Sequence, residues 1–163
     1  KNSPYQIGNA QELLWLAGKV NGTLEGEEKN VAACAELTDD IDLSEVCGEE
    51  IGSWHPIGDK SAPFIGEFEG NKFKISNLYI SAKGNYIGLW GFISNNSKIS
   101  NLTISSGRIS VTGENIGAFV GMAENAEITN CVNYASVSSS SSSASFSIGR
   151  TIVPSIANAA IFT

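Results

Sequence analysis

The sequence predicts an all-β chain, a right-handed parallel β-helix (β-solenoid) of about four coils closed at its start by a capping α-helix. Two observations carry this. The first is an internal repeat. Ile75-Ser76-Asn77-Leu78-Tyr79-Ile80 recurs as Ile99-Ser100-Asn101-Leu102-Thr103-Ile104, then more loosely as Ile128-Thr129-Asn130-Cys131-Val132-Asn133 and Ile156-Ala157-Asn158-Ala159-Ala160-Ile161. Each copy follows an Ile-Gly pair, at Ile65-Gly66, Ile87-Gly88, Ile116-Gly117 and Ile148-Gly149. The copies start 24, 29 and 28 residues apart, too close for a propeller blade and right for one coil of a solenoid. The second is residue type. Ile, Val, Thr, Phe and Tyr favour strands and are interrupted at short intervals by Gly, Asn and Ser, with no helical period inside the repeats.

The chain reads as one domain, 1–163, with a cap and lead-in over 1–60 and repeats over 61–163. In the cap, Asn9-Ala10-Gln11-Glu12 has the residue types of a helix N-terminus, and Leu13, Leu16, Ala17 and Val20 form one apolar stripe. Asn21-Gly22 then supplies a stop. Such a helix would shield the open edges of the first coil, with Trp15 packing at the margin of the stripe. Leu37 to Leu43 reads as a strand, and Trp54-His55-Pro56-Ile57-Gly58 as a turn. Phe64-Ile65-Gly66-Glu67-Phe68 opens the first clear repeat.

Within the repeat, strict alternation would set Ile75 and Asn77 on one face and Leu78 and Ile80 on the other. All three aliphatic residues are apolar, so the phase must slip at Asn77, and Asn tolerates the left-handed backbone of a sharp corner. Stacking would then align Asn77, Asn101, Asn130 and Asn158 as an amide ladder, a structural role and not a ligand site. Gly88 and Gly91, like Gly117 and Gly121, allow corners or close approach between coils. The run Ser138 to Ser143 reads as a loop protruding from the third coil. The C-terminal Ala159 to Thr163 offers no cap, so the natural protein is expected to continue into further repeats or another domain.

Composition excludes several classes. A net charge of −7 argues against nucleic acid and anionic lipid as partners, and no stretch is apolar enough to insert in a membrane. Fourteen of the seventeen acidic residues lie at or before Glu69, which reads as a solvated acidic face. Cys34, Cys47 and Cys131 make an odd count. Cys34 and Cys47 are a possible disulfide pair, whereas Cys131 stands in the place of Leu78 and Leu102 and reads as a small buried hydrophobe.

The order of motifs resembles a known family. Gly88-Leu89-Trp90-Gly91 and Gly117-Ala118-Phe119-Val120-Gly121 resemble the GLUG motif of bacterial surface proteins. Leu13-Leu14-Trp15-Leu16-Ala17, Asp40-Ile41-Asp42-Leu43, Trp54-His55-Pro56-Ile57-Gly58 and Phe68 to Leu78 resemble that group's opening helix, its DIDL strand, and its W-x-P-I-G and F-D-G-x-G-x-x-I-x-N-L signatures. The second GLUG-like motif carries one extra residue, and Glu69 and Lys72 replace the usual Asp and Gly. The resemblance spans about Tyr5 to Tyr134. It implies an extracellular or cell-surface bacterial location, within large modular, often adhesin-like proteins, and no catalytic residues in the repeat.

The residues themselves offer little chemistry. His55 is the single histidine and has no nucleophile signature near it. Asp39, Asp40 and Asp42 are the densest carboxylate group and the candidate calcium ligands, although the twelve-residue calcium loop is missing and solvated turn carboxylates are the preferred reading. No cofactor is implied and no catalytic residue is assigned. The expected function is a non-catalytic module, adhesive or spacer, with a host protein or glycan as the unnamed partner. The alternative is a carbohydrate-binding or polysaccharide-active β-helix, in which Tyr79, Tyr86 or Tyr134 would stack on sugars or else fill space along a strand face.

Overall fold

A computed structural model describes residues 3–140 together with Phe146 and Ser147. Among the described residues the protein is all-β with one N-terminal helix, and every strand-to-strand ladder is parallel. After β1 (Tyr5–Ile7) and α1 (Ala10–Asn21) come β2 (Cys34–Leu37), β3 (Ile41–Asp42) and a 3-10 turn, Leu43–Glu45. The next stretch supplies β4 (Glu67–Glu69), β5 (Lys74–Ser76), β6 (Leu78–Lys83) and β7 (Trp90–Ser94). A second supplies β8 (Lys98–Ser100), β9 (Thr103–Ile104), β10 (Gly107–Thr112), β11 (Ile116–Gly117) and β12 (Val120–Glu124). A third supplies β13 (Glu127–Thr129), β14 (Val132–Asn133), β15 (Ser136–Ser139) and β16 (Phe146–Ser147).

The strands sort by their place in each pass of the chain. One sheet runs β1-β2-β4-β8-β13, a second β3-β5-β9-β14 and a third β6-β10-β15, with β7-β12 and β11-β16 as two-stranded pairs. Lys74 stands opposite Thr103, Leu78 opposite Gly107, and Lys98 opposite Glu127, each 29 residues on. Arg108 with Ser136 (28), Trp90 with Val120 (30) and Glu67 with Lys98 (31) show the pass length varying slightly around that value. Along each sheet alternate residues are buried and equivalent positions stack. Ala35, Phe68, Ile99 and Ile128 form one interior column, and Ile41, Ile75 and Ile104 another. Each fully buried Ile or Phe contributes roughly 2 kcal/mol from burial. Phe68 also meets Trp90 edge-on, 5.0 Å between ring centroids.

Helix α1 forms for the reasons its sequence gives. The Asn9 side-chain oxygen accepts from the Glu12 amide at 2.9 Å, the Glu12 carboxylate reaches back to the Gly8 amide, and Gly22 ends the helix at φ 73°. Its stripe of Leu13, Leu16, Ala17 and Val20 is buried in the same core as Leu37 and Leu43. Trp15 packs edge-on against Tyr5 and donates its indole N–H to Glu27.

Several local expectations differ from the structure. The segment from Leu37 to Leu43 is two short strands around a corner, not one. Trp54 to Gly58 is not a free turn: Trp54 N donates to Tyr79 O, and Ile57 bridges Trp90 in parallel. Of the run expected to protrude, Ser138 and Ser139 instead complete β15 against Ser110 and Val111, and residues 141–143 lie outside the described residues. All three cysteines are free thiols, so Cys34 and Cys47 are not joined.

The asparagine arrangement also differs from a single ladder. Asn101 and Asn130 share a corner and are linked by an amide hydrogen bond of 3.1 Å. Asn77 belongs to a different corner: its neighbour Leu78 pairs with Gly107, and its amide N–H meets the Ser106 hydroxyl at 2.9 Å. The 24-residue spacing of the two best-matching copies therefore falls five residues short of a full pass. Cys131 shares the column of Leu102 but not of Leu78. Asn158 and the C-terminal copy lie outside the described residues.

Corners are made by backbone in the left-handed region. Among the described residues, asparagine supplies most of the non-glycine positions with positive φ, including Asn77, Asn96, Asn101, Asn115, Asn125 and Asn130. The glycines serve close approach between passes. A Cβ on Gly91 would stand 2.5 Å from Gly58 O and 2.8 Å from Tyr86 O, so no side chain fits. The extra residue of the second Gly-flanked motif is taken up as a bulge. Ile87 pairs with Ile116, but Trp90 pairs with Val120, so the offset grows by one between them.

Candidate functional site

The three aspartates singled out by sequence are engaged with the backbone. Asp39 accepts from the Asp40 amide, Asp40 from the Lys74 amide at 2.8 Å, and Asp42 from the Ser44 amide and the Asn77 side chain at 2.9 and 2.8 Å. The hydrogen bond from Asn77, then those from Ser44, hold the Asp42 carboxyl below its ordinary range. These bonds fix corners of the chain. Among the described residues, no group of three or more His, Cys, Asp or Glu is placed to hold a metal ion.

Glu69 is used in the same way. Its carboxylate accepts from the Ser100 hydroxyl, the Asn71 amide and the Asn101 side chain at 2.8 to 3.1 Å. Sequence reasoning placed it only on an acidic face; the register turns it into the partner of the next corner.

Two grooves remain. On the outer face of the third sheet, Tyr79 and Arg108 are register partners, and the tight turn at Gly48–Gly52 forms a wall beside them. Arg108 crosses to Glu49 at 3.2 Å, and the groove, about 580 Å³, is also lined by Ile51 and Cys47. Both charged side chains are largely exposed, so their pairing contributes little to stability.

The second groove, about 680 Å³, lies between α1 and the segments 55–59 and 85–87. Leu14, Leu24, Pro56 and Ile87 give it an apolar lining, and His55, Asp59, Asn85 and Tyr86 add polar groups. Asp59 spends one oxygen on the Ser61 hydroxyl and the amides of Ser61 and Ala62. The Ser61 hydroxyl chiefly, with those amides, holds its carboxyl low, so it is an anionic acceptor at neutral pH. Asn85 spends its oxygen on the Glu114 amide at 2.8 Å. That leaves its NH₂ as a donor.

Tyr86 is the unexpected member. It has φ 62°, the left-handed region that a bulky side chain rarely takes. Because Ile87 pairs with Ile116, Tyr86 occupies the corner that Asn115 (φ 58°) fills one pass later. Its ring lies 5.4 Å from that of Phe92, with the Lys60 ammonium 5.7 Å from its centroid. Aligning the two Ile-Gly pairs sets Tyr86 against Asn115, so the substitution is visible in sequence once the pass length is known.

No family model matches the chain, and no solved structure matches it. Among known proteins, the chain is similar to one described as a "Putative Gly-rich membrane protein" from Evansella cellulosilytica. The two are 37% identical over 89 residues, which is 53% of this chain and 10% of that relative. The chain thus spans only a small part of the relative's length. No helix among the described residues is long and apolar enough to cross a membrane. The expected extracellular or cell-surface location is overturned by this match, because that relative is described as a membrane protein.

Proposed function

We propose that the chain is a non-catalytic parallel β-helix segment that serves as a spacer or adhesive element in a longer, membrane-associated protein. The observation that carries the reading is the ordered stacking: each pass delivers its strands to the same sheets in the same sequence, at a near-constant offset. A parallel sheet so connected is wound right-handed in nearly all proteins. Such a stack buries one continuous core, extends by adding passes, and needs a cover at its first edge, which α1 supplies.

The resemblance to GLUG-repeat proteins supports the same reading. Gly91 of the first motif lies close against Gly58 of the preceding pass, and Gly88 against Gly117 of the next, so these glycines permit stacking. Two carboxylates otherwise available to a ligand, Asp42 and Glu69, are committed to corners of the chain. The similarity to a much longer Gly-rich membrane protein supports placing the segment within a larger chain.

The test is product release. The chain is incubated with a panel of neutral and acidic polysaccharides, with calcium and with chelator, and reducing ends and unsaturated products are measured. No release under either condition is expected. Depolymerisation that survives repurification would make the chain an enzyme and end this reading.

A further inference from the structure

Tyr86 stands where the fold asks for asparagine. The next pass uses Asn115 at the same corner, and asparagine makes most of the other non-glycine left-handed corners among the described residues. Tyrosine there costs backbone energy that the corner itself does not require, and local strain of this kind collects at ligand sites. What tyrosine adds is an aromatic ring lining the groove beside α1.

The rest of the groove offers complementary chemistry. The Asp59 carboxylate engages one oxygen with Ser61 and Ala62 and keeps the other as an acceptor, and the Asn85 amide keeps its NH₂ as a donor. His55 is exposed and has no hydrogen-bond partner among the described residues. Donor, acceptor, imidazole and an aromatic ring around an apolar floor match a molecule with hydroxyls on its edge and C–H groups on its face. That is a sugar ring. A purely apolar ligand would desolvate the second Asp59 oxygen. An anionic one would meet that carboxylate, and Lys60, the cation beside the platform, is already set against the Tyr86 ring. A groove of about 680 Å³ has the size of an ordinary ligand site.

We propose that this groove binds a neutral saccharide, with Tyr86 as the stacking platform and Asp59, Asn85 and His55 as its hydroxyl partners. The proposal goes beyond the spacer reading and does not depend on it, since binding and product release are measured separately. The whole chain is titrated with cellohexaose, xylohexaose, mannohexaose and maltohexaose, and with polygalacturonate and anilinonaphthalene sulfonate as the anionic and apolar probes. Binding is followed by calorimetry and by amide chemical shifts.

At least one neutral hexasaccharide is expected to bind and to shift the amides of His55, Asn85 and Tyr86. Tyr86→Asn should weaken that binding by about tenfold or more, while leaving the melting temperature unchanged or raising it by about 2–4 °C as the corner relaxes. His55→Ala, an exposed change that leaves the corner alone, should weaken the same binding should Tyr86→Asn fail to fold. Failure of all four sugars at millimolar concentration overturns the proposal. So does binding of polygalacturonate or the apolar dye alone, shifts confined to another face, or a well-folded Tyr86→Asn that binds as the parent does.

Discussion

Replacing Gly91 with alanine should cost about 3 kcal/mol, because the methyl has nowhere to go. It would stand 2.5 Å from Gly58 O and 2.8 Å from Tyr86 O, against an ordinary contact that begins near 3.4 Å. Both obstacles are backbone, so no side chain can swing aside. Relieving the closer clash moves the strand by roughly 0.9 Å, which breaks the 3.0 Å bond from Gly91 N to Ile57 O and strains the 2.8 Å bond from Trp90 N to Phe119 O. A buried donor left unpaired costs about 1–3 kcal/mol, and the disturbed packing of Trp90 adds to it. Urea unfolding at pH 7 reads the effect as a midpoint lowered by about 1–2 M. Gly48→Ala is the control, since a Cβ there meets nothing within 4 Å. Its stability should stay within about 0.5 kcal/mol of the parent. If Gly91→Ala is as stable as Gly48→Ala, close approach between passes is not what this glycine provides.

Asn101→Ala should lose about 2–3 kcal/mol in the same melts, from the left-handed backbone at φ 54° and the bonds to Glu69 and Asn130. Asn101→Gly should recover the backbone part, about 1 kcal/mol. Acid sensitivity should involve Asp42: its folded carboxyl is depressed, so its stabilisation is present above its unfolded value near pH 3.9 and is lost as pH falls through the folded one. Asp42→Asn, melted from pH 5 to 2, should therefore lose stability less steeply than the parent. Thiol labelling at pH 8 should modify half-exposed Cys34 quickly. It should reach Cys47 and Cys131 only in denaturant, because both are buried and burial raises both thiols, that of Cys131 to about 11.

The strand-rich character and the helix were legible in the sequence because each rests on local patterns. The Asn9 cap, the stripe from Leu13 to Val20 and the Gly22 stop act within a few residues of one another. The length of a pass was harder. Apolar-x-Asn-apolar is what any corner between two buried strands requires, so the motif at Ile75 and the one at Ile99 look alike while serving different corners. The same ambiguity hid the candidate groove. Tyr86 is unremarkable beside Tyr79 until the offset places it over Asn115. The roles of Asp42 and Glu69 depend on what stacks next to them, which no single segment encodes.

Strand register is what separates stacked 29-residue passes from a 24-residue repeat. Amide and α-proton nuclear Overhauser effects on uniformly labelled protein report which strands are neighbours and in what alignment. Parallel contacts are expected to join Ile75 with Ile104, Ile80 with Ile109, and Ile99 with Ile128. Contacts joining Ile75 with Ile99 in register, as a 24-residue repeat would give, or any antiparallel pairing between these strands, would contradict the stacked passes.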